Sequence, residues 1–201
     1  MNAIPIKAHD MHTLKGTTDL NDEVINGYME MVMKRTDTVY IFSSFLWTRI
    51  FGQRGRYEYI NRFGKNVTLT NYEMLMWPIH DKKWKHWSLV VLEWKRKCWE
   101  VWDSCGLEEH HIVRNLKKWL KEDLARKKLK EDNVAGWPVK YVKVNKQRDR
   151  HCGVYASQYA NVRSRTRDIP DFRDPDMVQA RTRMVLELVH QHAMAVGVIR
   201  K

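Results

Sequence analysis

"HWSLVVLEWKRKCWEVWD", residues 86–103, holds two short apolar runs parted by charge. HWSLVVLE and CWEVWD carry the β-branched and aromatic residues of strands, and Trp94–Lys97 between them reads as a four-residue loop. In that hairpin Glu93 faces Cys98, and every later pair of opposite residues sums to 191. Asp103 then lies opposite Ser88, and His86 is two residues from Ser88 on the same face. Diagonal neighbours of this kind sit roughly 7–8 Å apart at the backbone, close enough for a carboxylate to hold an imidazole N–H. The pairing depends on loop length, because a slip of one residue sends the side chains to opposite faces.

The flanking sequence supplies layers for this hairpin. "YEMLMWPI" (72–79) reads as a buried strand, and "PVKYVKV" (138–144) alternates like one. "LNDEVINGYMEMVMKR" (20–35) opens on an Asn/Asp cap and sets Val24, Ile25, Tyr28, Met31 and Val32 on one helical face. Residues 108–129, 152–163 and 176–193 read as three more helices. Strands in the middle with helices before, between and after make an α+β domain. A length of 201 residues suits one domain with a proper core, and no repeat, low-complexity run or linker divides it.

No apolar run approaches the roughly 20 residues a membrane helix requires. The start, "MNAIPIKAHDMHTL", lacks the apolar core of a signal peptide. Three sparse cysteines with no C-x-x-C pair suggest neither a disulfide framework nor a zinc finger. The expected location is therefore the nucleus and/or the cytoplasm. The formal charge of +12 attracts acidic partners of several kinds. No nucleic-acid motif is visible, so a nucleic-acid-binding reading rests on charge alone. "KKWLKEDLARKKLK" reads as a solvated helix face rather than a nuclear signal. The spacings of His110 and His111, and of His190 and His192, do not set both rings on one helical face, so no metal site is expected.

"QRDRHCGVYASQYA", residues 147–160, carries Cys152 where a charged turn meets a helix. Two readings stand for this thiol: a small buried hydrophobe, or a nucleophile. A helix start favours the thiolate through its exposed N–H groups and dipole. A nearby His86 would take and return the proton, and Asp103 would fix its tautomer. Gln147 could offer its amide to an oxyanion. Cys98 and Cys105 read as spectators.

The stretches "PIHDKKWKHWSLVVLEW", "WEVWDSCG", "KQRDRHCGVYASQYA" and "LNDEVINGYM" together resemble the ubiquitin-like-protein proteases, the sentrin/SUMO-specific cysteine peptidases. The resemblance runs from about Leu20 to His192. It implies an α+β, papain-like cysteine protease fold, with a central mixed sheet flanked by helices. A short arm, 1–19, would precede a single catalytic domain, 20–201. The implied activity is cleavage after the C-terminal Gly-Gly of a SUMO-like modifier, in precursor processing, isopeptide deconjugation or both. The implied partners are the modifier and its conjugated proteins, met by a monomer without cofactor or membrane. His86, Asp103, Cys152 and Gln147 would be catalytic, with Trp87, Asp19 and His151 against substrate. Trp87 would cover a narrow channel for the Gly-Gly tail. Asp19 stands where the family carries Trp, His151 where it carries Asp or Ser, and Gln147 one place nearer the cysteine than the family's Gln. The alternatives are a binding module of the same fold with little or no activity, or a protease for another modifier such as Nedd8.

Overall fold

In the computed structural model, which describes residues 6–52, 63–108, 110–130 and 133–195, the hairpin has the expected register. Strands β3 (His86–Glu93) and β4 (Cys98–Trp102) pair antiparallel from Glu93 opposite Cys98 to Leu89 opposite Trp102. The next step brings Asp103 level with Ser88. Strand β2 (Met74–Asp81) lies antiparallel on the other side of β3, two residues later in sequence than expected. Two short parallel strands close the five-stranded mixed sheet, β1 (Val39–Ile41) beside β2 and β5 (Val139–Tyr141) beside β4. The ends of the expected arm and domain, 1–5 and 196–201, lie outside the described residues, as does the side chain of His192.

The alternation along the hairpin divides the core in two. Trp87, Leu89, Val91 and Trp102 join the cluster beneath α2 (Asp22–Lys34), α5 (Cys152–Arg163) and α6 (Asp174–Ala195). Val90, Leu92, Trp99 and Val101 join the opposite cluster, beneath α3 (Ser44–Gly52) and α4 (His110–Arg126). In that second layer Phe42 stacks on Trp77 at 5.0 Å and Trp77 on Trp99 at 5.4 Å, so much of the tryptophan content is core. Helix α2 starts as its sequence suggests, with the Asn21 side chain accepting the Val24 N–H. The segment ahead of it is folded too: α1 (Ala8–Met11) and Leu14 pack on the domain.

Two contacts fix α5 over the sheet. At its start, Gly153 lies so near the backbone ahead of α2 that an added Cβ would stand 3.0 Å from that of Leu20. At its end, the buried Arg163 donates to Glu100 at 2.9 Å and to Glu93 at 2.5 Å. Both carboxylates come from the face of the hairpin that α5 covers, and Arg167 adds a further bond to Glu93 at 2.8 Å. Removing one member of a buried ion group leaves an uncompensated charge. Arg163→Met would leave Glu100 with the partly exposed Arg96 at 3.8 Å as its nearest cation. The expected loss is about 3 kcal/mol, seen as a fall of roughly 6–12 °C in a thermal melt. An unchanged Tm would show that the cluster adds nothing to stability.

Candidate active site

Beyond the last β4 pair the chain turns sharply, with the Gly106 N–H donating to the Asp103 carbonyl at 3.1 Å. Gly106 sits at φ +70°, a conformation that glycine takes without strain. Within the turn one carboxylate makes two bonds. Asp103 Oδ2 lies 3.0 Å from His86 Nε2, and Oδ1 accepts the Cys105 N–H at 2.6 Å. His86 and Asp103 are both buried. The pair read from the hairpin register is thus formed.

Cys152 reaches the same imidazole from the other layer. It is the first residue of α5, 5 % exposed, and its thiol is among the groups that raise the pKa of His86. The ring therefore joins the two halves of the core at the end of the sheet. Burial disfavours its charged form. The bonds to Asp103, Cys105 and Cys152, with the carboxylate's charge, outweigh burial and push the imidazole up to about 12. No side chain caps α5, because His151 at the N-cap makes no such bond. The first N–H groups of the helix have no intrahelical partner and are donors for an anion formed at the thiol.

Gln147 is fixed through its neighbour in the turn. Its backbone N–H donates to the Ser104 carbonyl at 2.8 Å, and its Oε1 accepts from the Ser104 hydroxyl at 2.7 Å. With the oxygen end of the amide occupied, the NH₂ end is left to donate.

The residues expected against substrate differ in their exposure. Trp87 is 1 % exposed: it belongs to the face under α5, and its Nε1–H donates to the Leu20 carbonyl at 3.1 Å. The outer ring of that stack is His80, half-buried and 4.3 Å from Trp87 between centroids. Burial holds the His80 imidazole below its usual pKa against the charges of Asp22, Asp81 and Asp19. His151 is also buried, because its Nδ1 accepts from Arg181 Nε at 3.3 Å. Burial and the Arg181 charge keep that ring below the ordinary histidine pKa. Asp19 remains partly exposed and is paired to Arg150 by two hydrogen bonds, which tie the segment before α2 to the loop before Cys152. Cys105 lies beside the pair, its Sγ 3.7 Å from His86 Nδ1. The sequence reading missed His80, Cys105 and Arg181 as parts of the site. Of these, His80 and Cys105 stood inside the motifs that drew attention to it.

A thiol, an imidazole held by a carboxylate, and amide donors at a helix start can carry out nucleophilic acyl transfer. The human sentrin-specific protease 2 is 32% identical over 194 residues, a match covering 92% of this chain and 32% of that protein. Human sentrin-specific protease 5 is 32% identical over 182 residues, covering 89% of this chain and 23% of that one. The chain thus spans about a third or less of the curated relatives it matches. Among solved structures, the C-terminal Ulp1 protease domain in complex with Smt3, the yeast ortholog of SUMO, superposes with a TM-score of 0.77. That likeness is 24% identical and covers 94% of this chain and 85% of that one. The model of the Ulp1 protease family's C-terminal catalytic domain matches residues 18–193, and the chain belongs to that family.

Proposed function

We propose that this chain is a thiol protease that cuts after the C-terminal Gly-Gly of a SUMO-like modifier, in precursor processing, deconjugation or both. The observation that carries the reading is one buried imidazole bonded to Asp103 at 3.0 Å, with the Cys152 thiol at the start of a helix among the groups that act on it. The relatives' names, sentrin-specific proteases, support the substrate class. In this mechanism the Cys152 thiolate attacks the glycine carbonyl. The imidazolium of His86 then gives its proton to the leaving amine, and water admitted by the same base releases the modifier. Asp103 keeps the ring in the productive tautomer throughout. Gln147 and the leading N–H groups of α5 stabilise the oxyanion. All three cysteines are free thiols, which supports work in the nucleus or cytoplasm.

Cys152→Ala is expected to abolish cleavage and to leave modifier binding largely intact. Labelling by a modifier carrying a vinyl sulfone at its C-terminus should vanish with it. Labelling that persists at Cys105, which shares the imidazole, would move the nucleophile there.

Asp103→Asn keeps the shape of the side chain and favours the wrong tautomer of His86. On the pattern of such triads, kcat should fall by about 10⁴ while Tm changes little. Normal turnover would make Asp103 a purely structural residue.

Gln147→Ala removes a donor to charge that exists only in the transition state. Losing one such donor costs about 10²–10³ in kcat, with KM nearly unchanged. Full activity in Gln147→Ala together with a crippled Asn145→Ala or Lys146→Ala would assign the donor to another residue of the loop.

A further inference from the structure

In the layer opposite α5, a groove runs between α4 and β5 and encloses about 410 Å³. Its floor is apolar, made by Val113, Ala135, Val139 and Tyr141. Its wall is cationic. Arg114, Lys117, Lys118 and Lys121 come from successive turns of one α4 face, and none of the described residues lining the groove is acidic. Lys117 donates to the Trp137 carbonyl at 2.5 Å. Arg114, Lys118 and Lys121 form no ion pair with another described residue. At the near end of the groove the Tyr141 hydroxyl lies 2.5 Å from His110 Nδ1, and His110 Nε2 lies 3.8 Å from Glu108. Unmatched positive charge is therefore concentrated from Arg114 to Lys121.

The groove also has an open strand edge. Among the described residues β5 pairs only with β4, so it ends the sheet. The Pro138 carbonyl accepts the Trp99 N–H, and the Val142 N–H donates to the Val101 carbonyl, each at 2.9 Å. Backbone groups alternate sides along a strand, so Lys140 also faces β4, and the N–H and C=O groups of Val139 and Tyr141 point outward. Such a row is a template for a further strand. We propose that the groove binds an acidic peptide segment of another protein, laid as an extended strand along the outer edge of β5. From Arg114 to Lys121 the helix rises about 10 Å, the span of three extended residues and the length of β5. The side chains of Val139 and Tyr141 turn to the α4 layer, so alternate side chains of an added strand would meet the apolar floor and the cations beside it. Lys140, exposed on the opposite face, supplies a cation to the side chains between. A second copy of this chain fits poorly, because it would bring its own Lys140 and its own formal charge of +12 to the contact. A nucleic acid would meet the cations but offers no strand to pair the outward edge.

This site does not rest on the cleavage chemistry, and its occupancy is read without turnover. A fluorescein-labelled Glu-Thr-Val-Thr-Glu peptide titrated with the whole chain should gain anisotropy, and its Lys-Thr-Val-Thr-Lys counterpart should not. Affinity should fall as salt rises, because the charges are exposed. Lys118→Glu combined with Lys121→Glu should weaken binding about tenfold or more, since each reversal turns an attraction into a repulsion. Both side chains are exposed, and an unchanged thermal melt confirms the fold. Arg183→Glu, at an exposed position on α6, should bind as the unaltered chain does. Two peptides N-methylated on alternate residues, one in each register, separate strand addition from charge alone. The register whose N–H groups face β5 should lose binding, and the other should keep it. No gain in anisotropy, full binding by the Lys118 and Lys121 double variant, or equal behaviour of the two methylated peptides would overturn the proposal. Tighter binding of a single-stranded oligothymidylate, lost in the same double variant, would overturn it in favour of a nucleic acid. Self-association abolished by those two substitutions would overturn it in favour of a second copy.

Discussion

The register of one hairpin governs both layers of the molecule. Because side chains alternate, the four-residue loop at Trp94–Lys97 decides that Trp87, Glu93, Glu100 and Trp102 face α5 while His86 and Asp103 share the other face. A slip of β4 by one residue would turn Glu100 away from Arg163 and part the imidazole from its carboxylate in one step. The fold is thereby coupled to its chemistry. Correct pairing buries the apolar residues, satisfies the buried cation, and aligns His86 with Asp103. No alternative register does all three.

The sequence was most informative where structure is local. The hairpin pairing, the capped start of α2 and the helix opening at Cys152 each follow from residues within a few positions of one another. The short elements before residue 53 were not legible, since β1 has three residues and earns its place by lying against β2. The site divides along the same line. The His86–Asp103 pair follows from strand geometry, and Cys152 from its helix start. The burial of His151 depends on Arg181, 30 residues away, and that of Trp87 on the carbonyl of Leu20, 67 residues away. No periodicity within either segment reports such partners. Cys105 was passed over for a different reason: a thiol in a turn carries no pattern, and its contact with His86 arises from the way Asp103 bends the backbone.

Asp103 ties these parts together with two oxygen atoms. One orients the ring and the other sets the turn that presents Ser104 and Cys105. Ser104 in turn fixes Gln147 from its own backbone carbonyl and hydroxyl. The acceptor of the imidazole and the holder of the amide donor are thus consecutive residues. A disturbance at the turn would reach the base and the oxyanion donor together, and substitutions there should not behave additively.

Arg181 lies on α6, and its guanidinium gathers the carbonyls of Thr13, Thr18 and Arg150 and the ring of His151. A ribosome emits the segment before α2, the hairpin and Cys152 ahead of this arginine. The growing chain therefore has its thiol, its imidazole and its carboxylate well before it has the clamp that seats the loop beside them. Vectorial synthesis delays the finished centre until α6 has emerged, so a nascent chain carries the reactive groups without their alignment.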